Sequence, residues 1–122
     1  MRRKLAAGNW KMNGSRASID TLLDGLVSAP AIAGPEIAVC PTYVHLPQVL
    51  DVCASSAIAV GAQDCSHMQS GAYTGEVAAP MLAEMGCRWV ILGHSERRQY
   101  HDESDTLVAA KLAAAVEAGL QP

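Results

Sequence analysis

Two polar clusters follow short apolar runs in this 122-residue chain, and each holds side chains able to do chemistry. After Leu5–Gly8 come Asn9, Lys11 and Asn13; after Trp89–Leu92 come His94, Ser95, Glu96 and Arg97. Lys11 offers a fixed positive charge for an anionic substrate, and His94 a hydrogen-bond donor whose role can change near neutral pH. Brought together, the two describe an electrophilic site. Each also has a plainer reading: a lone Lys or Asn after a strand is often solvated or part of a turn, and His94-Ser95 can simply cap a helix.

Whether they meet depends on the elements that carry them. Short apolar runs at Leu5–Gly8, Ile37–Cys40, Ala57–Gly61 and Trp89–Leu92 alternate with helical stretches, the pattern of a parallel sheet covered by helices. None of the runs alternates with polar residues, so strands buried on both faces are expected. Ile19, Leu22, Leu23 and Leu26 fall at helical spacing behind a candidate cap, Ser15, and Pro30 and Gly34-Pro35 end that segment. A second, short helix is expected around Val49–Ala54. A third, around Met81–Met85, stops at Gly86, and a fourth runs from Thr106 to Ala118 and stops at Gly119. Leu120, Gln121 and Pro122 read as the approach to a fifth strand. The α/β class places ligands at the strands' carboxyl ends, where both polar clusters fall.

Composition narrows the function classes. Half of the residues are hydrophobic, enough for a real core, and no apolar run approaches the length of a spanning helix. The basic Met1-Arg2-Arg3-Lys4 opening leads into no long apolar segment, so no secretory signal is read and a cytoplasmic location is the default. A formal charge of −3 argues against a nucleic-acid surface. Cys40, Cys53, Cys65 and Cys87 show neither a C-x-x-C pair nor zinc-ligand spacing and are read as free structural thiols. His67, two residues beyond Cys65, is read as loop chemistry rather than a metal ligand.

Beyond these local readings, Gly8-Asn9-Trp10-Lys11-Met12-Asn13 is similar to the opening motif of the triosephosphate isomerase family. Gly93-His94-Ser95-Glu96-Arg97-Arg98 resembles that family's fourth-strand motif, and Gly61-Ala62-Gln63-Asp64 with Gly71-Ala72-Tyr73-Thr74-Gly75-Glu76 resembles its third loop. The resemblance implies four parallel βα units over residues 1–122, the N-terminal half of a (β/α)8 barrel. It further implies glycolytic interconversion of dihydroxyacetone phosphate and glyceraldehyde 3-phosphate, with no cofactor and no metal. Lys11 would hold the substrate's negative charge, Asn9 would orient it, and a neutral His94 would polarise the carbonyl, this family being a standard example of such tuning. Ser95 and Glu96 would supply the environment of His94, Glu96 by pairing with Lys11 or by supporting the site from below rather than by taking the substrate proton.

Other residues carry two readings. Trp10, Met12 and Trp89 are read as core or subunit contacts. Glu103 and Asp105 are read as favourable charges at a helix start, or Glu103 as joining Arg97 in an ion network. Cys65–Gly75 reads as a long exposed loop, which in the family inserts into a neighbouring subunit and brings Thr74 to that neighbour's site. The resemblance also implies that the catalytic carboxylate base and the phosphate loops come from segments beyond these four units. The 122 residues alone are therefore expected to be inactive. They would be completed by a C-terminal half, associate with further copies as a non-catalytic half-barrel, or bind a phosphate ester without turning it over.

Overall fold

The computed structural model describes residues 2–122; Met1, the first residue of the basic opening segment, lies outside them. Four strands, β1 (Leu5–Asn9), β2 (Glu36–Cys40), β3 (Ala59–Ala62) and β4 (Trp89–Val90), pair in sequence order, each parallel to the next. Parallel neighbours require a crossover, and helices supply it: α1 (Arg16–Ser28), α2 (Leu46–Cys53) and α3 (Ala79–Met85) lie between successive strands. After β4 come a short α4 (Ser95–Tyr100) and the longer α5 (Asp105–Glu117). The result is a curled, four-stranded half-barrel sheet with alternating helices, as the sequence pattern implied.

The predicted helix signals work as chemistry. Ser15 caps α1 in a reciprocal box with Ser18, each side chain bonding the other residue's backbone N–H. Gly86 closes α3 at φ 108°, a conformation that favours glycine. α1 turns Ile19 and Leu23 inward, against a core that includes Val39, Leu46, Val49, Val60, Leu82 and Val90. All four cysteines are free and buried, and burial pushes the Cys40, Cys65 and Cys87 thiols up to about 11. Such thiols are poor nucleophiles and poor ligands. Among the described residues no group of three or more His, Cys, Asp or Glu gathers as a metal site, and no helix is long and apolar enough to cross a membrane.

Several expectations need correction. β1 is not buried on both faces: Leu5, Ala6, Ala7 and Gly8 are exposed, because none of the β1 side chains joins the core packed against the other strands. α2 begins at Leu46, earlier than Val49, after a 3-10 turn at Tyr43–His45 and with Pro47 in its first turn, where a missing N–H costs nothing. β4 has two residues rather than four, although the Ile91 N–H still donates to the Ala62 carbonyl. The Cys65–Gly75 loop is not uniformly exposed, since Cys65 and Ser66 are buried and Ser66 pairs with Ala78. The fifth-strand reading of the final residues agrees with the structure: Gln121 lies parallel to Trp89, bonded to Arg88 and Val90.

One close approach locks three neighbouring strands together. A Cβ at Gly61 on β3 would meet Cys40 Sγ and Trp89 Cβ, both at 2.9 Å, so the flanking side chains close over a position that admits only glycine. Trp89 thereby reaches across to β2, where its indole N–H donates to Glu36 at 3.3 Å, and Arg88 pairs with the same carboxylate at 2.8 Å. The strands' amino ends are tied there, which leaves their carboxyl ends to the loops that carry the polar clusters.

Candidate active site

Asn9 is the last residue of β1, and its Oδ1 accepts the Lys11 backbone N–H at 2.9 Å, turning the chain sharply as it leaves the sheet. Lys11 sits at φ 53°, a left-handed conformation that non-glycine residues adopt at a cost of order 1–2 kcal/mol. Asn13 fastens the far side of the turn, its amide donating to the Trp10 carbonyl at 2.9 Å. The turn is also held from β3: Gln63 Nε2 donates to the Lys11 carbonyl at 2.8 Å and to the Cys40 carbonyl at 2.9 Å. One side chain thus ties the ends of three strands together.

Across the cleft, Gly93 turns at φ 60° with Val108 pressed against it, and a Cβ would approach that side chain to 2.8 Å. His94 follows as the N-cap of α4, its Nδ1 accepting the Glu96 backbone N–H at 3.1 Å. The plain capping reading is therefore correct, and it has a chemical consequence. With Nδ1 engaged by the helix, Nε2 is the ring nitrogen left to meet a ligand. Glu96 turns back to pair with Lys11, Oε1 to Nζ 2.7 Å. The hydrogen bond from Lys11 holds the Glu96 carboxyl below its ordinary value.

These groups line one cleft of about 440 Å³ at the carboxyl end of the sheet. Asn9, Lys11, His94 and Glu96 meet there, together with Gln63, Asp64 and Arg97. Met12, read as a core or subunit contact, is 93% exposed at the same cleft. Ser95 is exposed at the first position of α4 and is not part of the lining, and neither is Thr74, which lies in the exposed stretch of the third loop.

From the cleft wall inward runs a group of charges, Asp64 and Arg97 at the lining and Glu103 and Lys111 beyond it. Arg97 Nε donates to Glu103 Oε2 at 2.7 Å, which answers the open question about Glu103 in favour of the ion network. Lys111, on α5 and 3% exposed, joins the same oxygen at 2.5 Å and Asp64 Oδ1 at 2.9 Å. Arg97 reaches Asp64 Oδ2 at 3.3 Å. Burial works to raise the Glu103 pKa, but hydrogen bonds from Lys111 and Arg97 outweigh it and the carboxyl lies below its ordinary value. For Asp64 burial wins, and its pKa is raised. Lys111 was invisible as a site residue because it interrupts an Ala-rich helix like any solvated lysine. Only its partners, 47 and 8 residues away, give it a role.

In comparisons with known proteins, the family model described as triosephosphate isomerase matches residues 4–122. The triosephosphate isomerase of Bordetella pertussis is 56% identical over 121 residues, covering 99% of this chain and 49% of its own length. That of Thiobacillus denitrificans is 54% identical over 122 residues, covering 100% of this chain and 48% of its own. That of Hahella chejuensis is 50% identical, again over the whole chain and 49% of the relative. The chain spans about half the length of the curated relatives it matches.

Proposed function

Since the chain belongs to the triosephosphate isomerase family, we propose that residues 1–122 form the N-terminal half of a barrel domain and supply the electrophilic side of an isomerase site for triose phosphates. Lys11 holds the substrate's negative charge and Asn9 orients it. His94 donates from Nε2 to the carbonyl oxygen and moves the proton between the two oxygens, with neither metal nor organic cofactor. The observation that carries this reading is His94, engaged through Nδ1 by the helix and facing the same cleft as Lys11. Glu96 is occupied with Lys11, so it is not the group that takes a proton from carbon.

That step needs a carboxylate base, and the family draws it from beyond the fourth βα unit. The 122 residues alone therefore do not turn over substrate, and a complementary C-terminal half restores the reaction in a cytoplasmic, glycolytic setting. A coupled isomerase assay of the purified chain, with and without that half, tests this beside His94→Gln prepared in the same way. Turnover that appears only with the complement and is lost in His94→Gln supports the reading. Turnover by the chain alone that depends on His94 sinks the claim of incompleteness.

A second reading rests on the bare β1 edge, where four successive exposed residues offer unpaired backbone groups. On it, copies of the chain associate as a half-barrel assembly, and Thr74 in the exposed third loop sits at a subunit contact. Light scattering that finds a well-folded monomer at micromolar concentration removes this option. A heat of binding with a phosphorylated analogue, without turnover in either mixture, marks the chain as a phosphate-ester binder instead.

A further inference from the structure

Lys11 and His94 stand on different loops, and the direct link between those loops is weak. The Lys11–Glu96 pair is 53% and 43% exposed, in reach of water and salt. The loops nevertheless face each other across a defined cleft, so something less exposed must set their spacing. The end of β3 lies between them. Gln63 grips the Lys11 carbonyl there, and the next residue, Asp64, is buried with both carboxylate oxygens engaged: Oδ1 by Lys111 of α5 and Oδ2 by Arg97 of α4. Its backbone carbonyl accepts the Tyr43 hydroxyl at 2.7 Å, which fixes the third side of the residue.

We propose that Asp64 is the positioning residue that sets the register between the Lys11 loop and the helix headed by His94. The inference rests on the reading of Lys11 and His94 as two halves of one site. A carboxylate suits this place because it alone offers two acceptor oxygens to two cations on two different helices, whereas an amide presents one acceptor and one donor. Arg97 carries the constraint to the site directly: it follows Glu96 in the chain, and its backbone N–H donates to the His94 carbonyl at 2.9 Å. Burial outweighs the two cations in setting Asp64's own ionisation, and Glu103 still pairs both cations when the charge at 64 is removed, so the charge adds little to stability.

Glu96 reports the register without any need for turnover. Its carboxyl titrates below the ordinary 4.5 because Lys11 reaches it. Carbon-13 NMR of the Glu96 carboxyl across a pH series, in the full chain and in Asp64→Asn, reads how well the loops remain in line, with Tm recorded on the same samples. The expected result is a Tm at or above that of the parent chain and a Glu96 midpoint moved up towards the ordinary value. Removing a negative charge nearby lowers a carboxyl's midpoint by its field alone, so an upward shift marks lost register rather than electrostatics. Asp64→Glu, which keeps two oxygens for Arg97 and Lys111, is expected to hold the midpoint closer to that of the parent. A midpoint unchanged or lowered in a folded Asp64→Asn overturns the proposal, as does an equal upward shift in the surface control Asp105→Asn. An isomerase assay that fails with the complementary half leaves this titration unaffected, so the two readings fail separately.

Discussion

The Lys11–Glu96 pair and the Asp64–Arg97–Glu103–Lys111 group stand on the same side of the sheet, yet they meet water very differently. The first joins two half-exposed side chains by one contact. The second places Lys111 and Glu103 at 3% and 2% side-chain exposure and shares four contacts among four charges. On the proposed reading, the charge that must release its partner to meet a substrate is kept wet and replaceable, while the charges that hold helices in place are kept dry. One Glu103 oxygen, Oε1, is buried without a protein partner, so even the dry group is short of donors. Its stability rests on each donor that it has.

Removing one of those donors is the largest way to break the contrast. Lys111→Met leaves Asp64 and Glu103 with only the less buried Arg97 between them, a loss of about 3–5 kcal/mol, or on the order of 10–20 °C in Tm by thermal unfolding. A loss within a few degrees would mean that water already serves those carboxylates.

Acid comes next. Glu103's folded pKa lies below its unfolded value, so its contribution is complete above about 4.5 and is lost as pH falls through the folded value. Asp64 is shifted the other way: the folded state binds its proton more tightly, so its contribution grows as pH falls towards and below 3.8 and partly offsets the loss. Urea midpoints measured from pH 6 to pH 3 should therefore fall more steeply in Asp64→Asn than in the parent chain. Parallel slopes would show that Asp64 does not oppose Glu103.

On the wet side the effects shrink. Glu96→Gln is expected to leave Tm almost unchanged, while removing the salt dependence of anion binding that the Lys11 pair imposes; a clear drop in Tm would place this pair with the buried group. Smallest is Asp105→Asn, whose side chain is 94% exposed beside Arg98 and whose loss should be invisible in thermal unfolding.

The same contrast explains what could be read from the chain. Ser15, Gly86 and Gly119 declared helix ends because caps are local, decided by a residue and its nearest neighbours. That Asn9, Lys11 and His94 belong together is legible because the motifs that hold them are contiguous, and the three line one cleft. Lys111 was not, nor was Gln63's grip on Lys11, 52 residues earlier, because pairs that meet through tertiary packing leave no periodicity. The exposure of β1 is hidden for a related reason: an Ala-rich strand at the margin of the core and a buried strand spell alike, and only what packs over each face separates them.

Lys11 itself is under two demands that no residue meets in full. Its backbone, at φ 53°, favours glycine, and on the proposed reading its place in the cleft asks for a cation. Substitution by glycine eases the backbone and removes the charge, and retaining the charge keeps the discomfort. On that reading, repair of the fold at this point is the same event as loss of the site.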